Sequence, residues 1–217
     1  MSRIAVVGGH GQIAMLLHPM LVESGNEPVA LIRKPEQVAD IEGVGAEARM
    51  LDIENTDAEG FAKQFEGCDA VVFAAGGGPD GDVARKKSVD LGGSLKSIEG
   101  AKLAGITRFV QISAISVDED PGDDVGEVWE AYVHAKRDAD TALRESGLDW
   151  TVVRPGGLTD DAATGKVTAA EKVERGEIPR ADVADVVRRC LQDPSTIGKQ
   201  FEVVGGETGI PEALASL

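Results

Sequence analysis

The chain has 217 residues, of which 42% are hydrophobic and 28% are charged, so it is long enough and ordinary enough in composition to form one globular domain over residues 1–217. The formal net charge of −16 disfavours nucleic acid and anionic membrane surfaces as partners. No apolar run reaches the roughly 18 residues of a membrane helix. The two cysteines, Cys68 and Cys190, and the lack of a signal pattern favour a cytoplasmic protein, either a monomer or a small homo-oligomer.

Short apolar, β-branched runs alternate with segments of helical spacing along the whole chain. The predicted strands are Ile4 to Val7, Pro28 to Ile32, Ala48 to Leu51, Ala70 to Ala74, Arg108 to Ile112, Trp150 to Val153 and Phe201 to Val204. The predicted helices are Ile13 to Ser24, Ala58 to Phe65, Ser88 to Ala104, Tyr132 to Ser146 and Asp182 to Leu191. This alternation predicts an α/β fold: a single Rossmann-like doubly wound domain with a mainly parallel sheet of about seven strands flanked by helices. Loops around 76–87, 113–131 and 155–180 are expected to build the substrate pocket.

The first strand is followed by glycines in the order G-x-x-G-x-x-A. Gly8 permits a sharp turn from strand to helix, Gly11 lets a pyrophosphate approach the backbone, and Ala14 keeps the helix close to the sheet. The alternative is a tight βα turn that holds no ligand. Because the pattern directly follows the first strand, we favour a dinucleotide-binding loop.

The second predicted strand ends on two basic residues, Arg33 and Lys34. In this fold an acid at that position holds a ribose 2′-hydroxyl, whereas a base accepts a 2′-phosphate. The pair therefore favours NADP(H) over NAD(H) as the cofactor. A solvated basic pair in a loop is the alternative.

Two further strand ends carry residues suited to the same ligand. Asp52 and Ile53 follow the third strand, where an apolar wall and a polar contact would suit adenine. The small residues from Ala74 to Gly78 follow the fourth strand and would let the cofactor cross the sheet edge. The glycines among them are equally typical of a flexible loop.

The single tyrosine of the chain, Tyr132, lies four residues before Lys136 on a predicted helix, so both side chains share one face. A nearby ammonium favours the ionised phenol and would tune it for proton transfer with a carbonyl or alcohol. Lys136 could also hold a nicotinamide ribose. Ser113 at the end of the fifth strand, or Ser116, could donate to the same substrate oxygen, although turn or cap roles are equally compatible with serine.

The ordered motifs "GGHGQIA", "RFVQISAIS", "YVHAK", "VVRPGGL" and "IPRADVADVV" resemble the short-chain dehydrogenase/reductase superfamily. The resemblance is to its small atypical NAD(P)H-binding branch, which is similar to biliverdin-IXβ/flavin reductase and the NmrA-like proteins. It covers nearly the whole chain and is specific for the fold and for dinucleotide binding. It is much less specific for the substrate.

The resemblance implies a role for each matching position. It implies cofactor contacts at Gly8, Gly9, His10, Gly11, Gln12, Ile13, Arg33, Lys34, Asp52, Ile53, Ala74, Ala75, Gly76, Lys136, Pro155 and Gly156. It implies a catalytic set of Tyr132 as proton donor, Lys136 and Ser113. The chain departs from the pattern at His10, where a small residue is usual, and at Ala14, where glycine is more frequent. Ala114 stands where the active-site serine often falls, which leaves Ser113 or Ser116 for that role.

These features predict an NADP-dependent oxidoreductase that transfers a hydride between nicotinamide and a small carbonyl, quinone or flavin-like acceptor. The alternative is an NmrA-like regulator that senses NADP without turnover. A sugar-nucleotide epimerase or dehydratase is disfavoured, because little chain remains after the sheet. The histidines lack metal-ligand spacing, so no metal is expected, and His10 is predicted to project toward the cofactor or its access route. Lys86 and Lys87 could face a phosphate or an acidic substrate, but we favour a solvated helix start.

Overall fold

The computed structural model describes residues 1–78, 82–119 and 125–217. Within these ranges the strands are β1 (Arg3–Val7), β2 (Glu27–Ile32), β3 (Glu47–Met50), β4 (Ala70–Phe73), β5 (Arg108–Ile112), β6 (Asp149–Pro155), β7 (Gly157–Thr159), β8 (Lys166–Ala170), β9 (Glu177–Pro179), β10 (Lys199–Gly205) and β11 (Thr208–Gly209). Nine of them form one sheet in the order β3-β2-β1-β4-β5-β6-β10-β8-β11, and β7 pairs with β9.

The seven strands from β3 to β10 in this order run parallel and correspond to the seven predicted strands. The predicted α/β Rossmann-like fold is therefore confirmed, but the strand number was wrong. β8 and β11 extend the sheet in antiparallel pairing. They escaped prediction because β8 lies in a polar, glycine-containing stretch in which only Val167 is fully buried, and β11 at the edge has only two residues.

Helices cover both faces of the sheet. They are α1 (Gln12–Glu23), α2 (Val38–Gly43), α3 (Ala58–Gln64), α4 (Val83–Arg85), α5 (Gly92–Leu103), α6 (Glu127–Arg144), α7 (Arg180–Gln192) and α8 (Ile210–Ala215), and a π-helical turn, Lys86–Leu91, joins α4 to α5. Ile4 and Val6 of β1 pack into the core beside α1 and α7, whereas Ala5 and Val7 pack into the core beside α3, α5 and α6. This alternation along one strand follows from the two-residue period of its side chains. None of the helices in the described ranges is long and apolar enough to cross a membrane.

The sheet places the predicted functional residues at one edge. β1 lies between β2 and β4, so the chain order reverses direction beside its carboxyl end. In doubly wound sheets the ligand cleft opens at this reversal. The carboxyl ends of β2, β3, β4, β5 and β6 all lie at the same edge of the sheet as that of β1. Parts of the predicted pocket loops, residues 79–81 and 120–124, lie outside the described residues.

Candidate cofactor and active site

The loop after β1 is built around glycines that leave no space for a side chain. Gly8 has φ +79°, and a Cβ atom on it would lie 2.7 Å from the Cα of Ala75. A Cβ on Gly9 would lie 2.7 Å from the Cβ of Ala30. The loop therefore lies directly against the neighbouring strands β4 and β2. The need for glycine at Gly9 was not part of the expected spacing.

The loop leads into the first turn of α1, which begins at Gln12. Among the described residues no side chain caps this helix end, so its first N–H groups point into the space above the loop. Ala14 is buried against the sheet, as its position in the spacing predicts. A helix end of this kind, shaped by glycines and facing a cavity, fits the pyrophosphate of a dinucleotide.

Two histidines support this loop from different sides. His18 is fully buried in α1, and its Nε2 lies 2.8 Å from the carbonyl oxygen of Gly9. Burial lowers the pKa of His18, so the neutral ring donates an Nε2–H bond to this carbonyl. His10 lines the cavity above the loop, with its Nε2 2.8 Å from Oδ2 of Asp40. No motif singles out His18, since its role depends on a contact from α1 back to the loop that precedes it.

A cavity of about 240 Å³ lies above the glycine loop. Its lining comes from the ends of four parallel strands and from the segment after them: Gly8, His10, Gly11, Arg33, Asp52, Ile53, Glu54, Ala74, Ala75, Gly76, Arg85 and Val89 are among the residues that form it. The structure thus brings together most of the residues that sequence reasoning assigned to the adenosine side of a dinucleotide. Lys34 is not part of this lining, and its ammonium lies 3.9 Å from the carboxylate of Glu36.

Arg33 and Asp52 occupy the outer wall of the cavity. The Arg33 side chain is 51% exposed, and its Nη1 lies 3.9 Å from the carboxylate of Glu54. Asp52 accepts bonds from Asn55 Nδ2 at 2.8 Å and from the N–H of Glu54 at 3.0 Å. These bonds, that from Asn55 first, lower the pKa of Asp52. Arg33 thus presents a half-exposed cation to the cavity, and Asp52 fixes the turn after β3.

Tyr132 and Lys136 lie on one face of α6, as predicted, with Lys136 Nζ 5.8 Å from the centre of the Tyr132 ring. Lys136 is buried, donates to the carbonyl of Ile112 at 3.2 Å and lies 3.4 Å from Oδ1 of Asp90. Burial lowers the pKa of Lys136, but Tyr132 when it ionises, together with the carboxylates of Asp90 and Asp140, raises it above its ordinary value. The ammonium is therefore a fixed, buried charge beside the phenol.

The ionisation of Tyr132 depends on burial as well as on Lys136. Burial raises the pKa of the phenol, and the carboxylates of Asp90 and Asp140 raise it further, while Lys136 lowers it, in the direction that the sequence predicted. Desolvation outweighs the single ammonium. In this structure Tyr132 is a protonated phenol, which suits a proton donor.

Ser113 belongs to a buried polar cluster around Asp140. Its hydroxyl donates to Asp140 Oδ2 at 2.8 Å, and the same carboxylate accepts from Gln111 Nε2 at 2.7 Å and from Arg154 Nε at 2.9 Å. Ser116, the other candidate, has φ 60° and donates its N–H to Glu202 at 2.8 Å. The Ser113 proton is thus directed to Asp140.

Pro155 and Gly156 form a fixed turn at the end of β6. The Pro155 carbonyl accepts the N–H of Ile115 at 3.0 Å, and Gly156 donates its N–H to Val203 at 2.9 Å. A Cβ on Gly156 would lie 2.2 Å from the carbonyl oxygen of Gly176. Glycine is therefore required at this position, and the turn beside the predicted nicotinamide position is rigid.

The structure adds two residues that sequence reasoning missed or misjudged. Lys86 is 7% exposed, bonds to the carbonyl of Gly78 and lies 5.4 Å from the centre of the Tyr132 ring. The prediction of a solvated helix start was wrong for Lys86, although Lys87 is exposed. Asp90, which no motif singled out, is fully buried beside Lys136. The four-residue spacing of Lys86 and Asp90 was the available signal, because it matches that of Tyr132 and Lys136.

Comparison with known proteins gives similarities along nearly the whole chain. A family model described as NAD(P)H-binding matches residues 8–194. A Bacillus subtilis protein called "Uncharacterized sugar epimerase YhfK" is 38% identical over 216 residues, covering 99% of this chain and 100% of that protein. A solved structure from Bacillus halodurans, described provisionally as an NAD-dependent epimerase/dehydratase, has a TM-score of 0.93 at 37% identity, with 100% of both chains covered. The oxidoreductase ylbE from Lactococcus lactis has a TM-score of 0.85 at 30% identity, covering 99% of this chain and 96% of that one.

Proposed function

Because the chain belongs to the NAD(P)H-binding family, as its motifs indicate, we propose that it is an NADP-dependent oxidoreductase that transfers a hydride between the nicotinamide and a small carbonyl, quinone or flavin-like acceptor. The observation that carries this proposal is the protonated Tyr132 beside the buried ammonium of Lys136. A protein that only bound the cofactor would have no need of a phenol and an ammonium so arranged. The similarity to an oxidoreductase at 30% identity also supports it.

The residues around the cavity fit a dinucleotide. Gly8, Gly9 and Gly11, together with the first turn of α1, would hold the pyrophosphate through backbone N–H groups, since side chains are excluded there. Arg33 would hold a 2′-phosphate, because its guanidinium is the cation at the cavity wall after β2. Asp52 and Ile53 would contact the adenine, and Ala74 to Gly76 would lie under the passing cofactor.

In the proposed reaction the bound nicotinamide supplies the hydride. Lys136 would hold the ribose next to it, and the Pro155–Gly156 turn would pack against the ring. Tyr132 would donate its proton to the acceptor oxygen as the negative charge develops there. The Lys136 ammonium would stabilise the resulting tyrosinate, so the proton is donated more readily in the transition state than in the resting site. Ser113 would assist as a second donor by turning its hydroxyl from Asp140 to the acceptor.

Trp129 supports a planar acceptor within this class. Its ring lies one helical turn before Tyr132, with ring centres 5.4 Å apart, and it is 49% exposed. All five phenylalanines, by contrast, are buried in the core. An exposed aromatic ring beside a proton donor is suited to stack against a quinone or a flavin ring, and we therefore place these acceptors ahead of aliphatic carbonyls.

A sugar epimerase is the second candidate, because the relative with 38% identity is called an uncharacterized sugar epimerase and the structure with 37% identity is described as an epimerase/dehydratase. The fold argues against it. Residues after β6 extend the sheet as β8, β10 and β11, and α7 packs against α1. These residues pack onto the sheet and its core, so they do not form a separate lobe around a sugar nucleotide. An epimerase would also return its hydride to the same substrate, so it would consume no NADPH.

The proposal is tested by following NADPH oxidation with a panel of quinones, flavins and aldehydes, for the wild type and Tyr132→Phe. We expect turnover with at least one planar acceptor. The variant should lose more activity toward aldehydes than toward flavins, since flavin reduction depends less strictly on the donated proton. NADPH binding without oxidation by any acceptor would contradict the proposal and favour a sensing protein. Conversion of a nucleoside-diphosphate sugar without net NADPH consumption would favour the epimerase.

A further inference from the structure

The π-helical turn Lys86–Leu91 connects the two ends of the proposed site. It packs against α6, which carries Tyr132 and Lys136, and it also contacts the backbone of the loop after β4. Its two buried charged residues, Lys86 and Asp90, point to that interior side. A π turn inserts an extra residue into a helix and reorients its side chains, and such turns are frequent at functional sites.

Asp90 joins two separate parts of the protein through its two carboxylate oxygens. Oδ2 accepts the backbone N–H of Gly77 at 2.8 Å, and Oδ1 lies 3.4 Å from Nζ of Lys136. The side chain is fully buried, and burying a carboxylate is costly unless such partners compensate its lost hydration. Asp90 thus accepts a hydrogen bond from the loop under the proposed cofactor path and forms an ion pair with the lysine of the proposed catalytic pair.

The loop is shaped for this contact. A Cβ on Gly77 would lie 3.0 Å from Oδ2 of Asp90 and 3.1 Å from the carbonyl oxygen of Arg85, and a Cβ on Gly76 would lie 3.3 Å from Oδ1 of Asp90. The glycines therefore let the backbone approach the carboxylate closely. The Gly-rich run that sequence reasoning treated as either a cofactor passage or a flexible loop has a specific bonding partner.

We propose that Asp90 is a positioning residue, which fixes the ammonium of Lys136 beside Tyr132 and ties this pair to the loop over which the dinucleotide passes. The inference rests on the proposed function, and it adds the Asp90 carboxylate to Tyr132 and Lys136 as a component of the site. Lys86 makes the corresponding link from the other end of the π turn, since it bonds to Gly78 and faces the Tyr132 ring. Cofactor binding and proton donation then depend on the same short segment.

The charged groups around Tyr132 determine whether a substitution should raise or lower the pKa of its phenol. From α6 these are Lys136 and Asp140, and from the π turn Lys86 and Asp90. Arg154 of β6 faces Asp140 from the far side, and Arg85 of α4 lines the cavity. Removing the Asp90 charge takes an anion away from the phenol, so the pKa of Tyr132 should fall.

Tyr132 is the single tyrosine of the chain, so its ionisation can be titrated directly by tyrosinate absorbance, with Tyr132→Phe as the baseline. In Asp90→Asn we expect the pKa of Tyr132 to fall by about one pH unit. We also expect the NADPH dissociation constant, measured by cofactor fluorescence, to rise about tenfold, because Gly77 and Lys136 both lose a charged partner. Lys87→Gln changes an exposed charge on the same turn and should leave both values unchanged.

Because Asp90→Asn leaves a buried ammonium unpaired and can destabilise the fold, a second pair of variants keeps the test decisive. Lys136→Met and the double variant Asp90→Asn/Lys136→Met remove the ammonium in both proteins and differ only in the carboxylate. The double variant should titrate Tyr132 at a lower pH than the single one. An unchanged titration in both comparisons, or unchanged NADPH affinity in a folded Asp90→Asn, would overturn the proposal. Neither measurement requires turnover, so an absence of any reduced acceptor would contradict the proposed function without deciding this inference.

Discussion

The glycine end and the tyrosine end of the proposed site differ in how exposed their charged side chains are. At the glycine end the cavity is shaped by backbone, and its basic side chain, Arg33, is half exposed. At the tyrosine end Lys136, Asp90 and Asp140 are buried and paired. Exposed charges are screened by water and salt, whereas buried ones act strongly and remain in place during a reaction. Substitutions at the glycine end should therefore change cofactor affinity, and substitution of Tyr132 or Lys136 should change the rate of the chemical step, whereas Asp90, which also accepts the N–H of Gly77, should affect both.

The largest effect is expected for Lys136→Met. Without the ammonium, the tyrosinate formed on proton donation loses its stabilising charge, and we expect kcat to fall by about 100-fold or more with the preferred acceptor. Arg137→Met is the matched control, since Arg137 is the next residue on α6 and pairs at the surface with Asp138. Steady-state kinetics at saturating NADPH would measure both. If Lys136→Met had the kcat of the wild type, the buried ammonium at the tyrosine end would not act in the chemical step, and the comparison of the two ends would be wrong.

Gly8→Ala should give the next largest effect, and it should act on cofactor affinity. Gly8 and Gly25 both have φ +79°, but a Cβ on Gly25 would meet nothing within 4 Å. Gly25→Ala should therefore cost only the backbone strain, about 1 kcal/mol in the free energy of unfolding. Gly8→Ala must in addition displace Ala75, so we expect a larger loss of stability and an NADPH dissociation constant raised more than about tenfold. Chemical denaturation and fluorescence titration distinguish the two; equal behaviour of the variants would contradict the close-approach argument.

The sequence predicted the part of this protein that depends on local pattern. Six of the seven parallel strands contain apolar runs that are buried on both faces, whereas β3, at the sheet edge, is exposed or half-buried. The glycine spacing follows from the turn between β1 and α1. Strand β8 was missed because its residues other than Val167 are exposed or half-buried. His18 and Asp90 were missed for a different reason: their roles come from contacts made after folding, with the carbonyl of Gly9 and with Lys136. No spacing along the chain encodes the contact of His18, and the four-residue spacing of Lys86 and Asp90 does not by itself identify Lys136 as the partner of Asp90.

A smaller effect is expected for Arg33→Ala, and it should be specific for the phosphorylated cofactor. A charge-assisted bond to phosphate is worth about 1.5–3 kcal/mol, and exposure places Arg33 at the low end, so NADPH affinity should fall about tenfold. NADH affinity should not change. Lys34→Ala, at a side chain outside the cavity lining, should leave both unchanged.

Ionic strength should affect the results for Arg33→Ala and Asp90→Asn differently. A half-exposed cation is screened, so the difference between the wild type and Arg33→Ala should shrink as ionic strength rises. The effect of Asp90→Asn on the Tyr132 titration should persist, because both groups are buried. If Arg33→Ala weakened NADH as much as NADPH, the assignment of Arg33 to a 2′-phosphate would be wrong.

The smallest effect concerns His18, the buried support of the glycine loop. Burial holds its pKa below the ordinary value of 6.5, so below that pH the unfolded chain binds a proton that the folded protein refuses. The free energy of unfolding should therefore decrease as pH falls below 6.5, whereas above it this histidine contributes no slope. His18→Gln retains an N–H donor for Gly9 but cannot titrate. Denaturation midpoints on either side of pH 6.5 should show a shallower pH dependence for the variant than for the wild type, whatever its absolute stability. Equal slopes would mean that the folded protein accepts the proton at His18, and the bond to Gly9 would then not require a neutral ring.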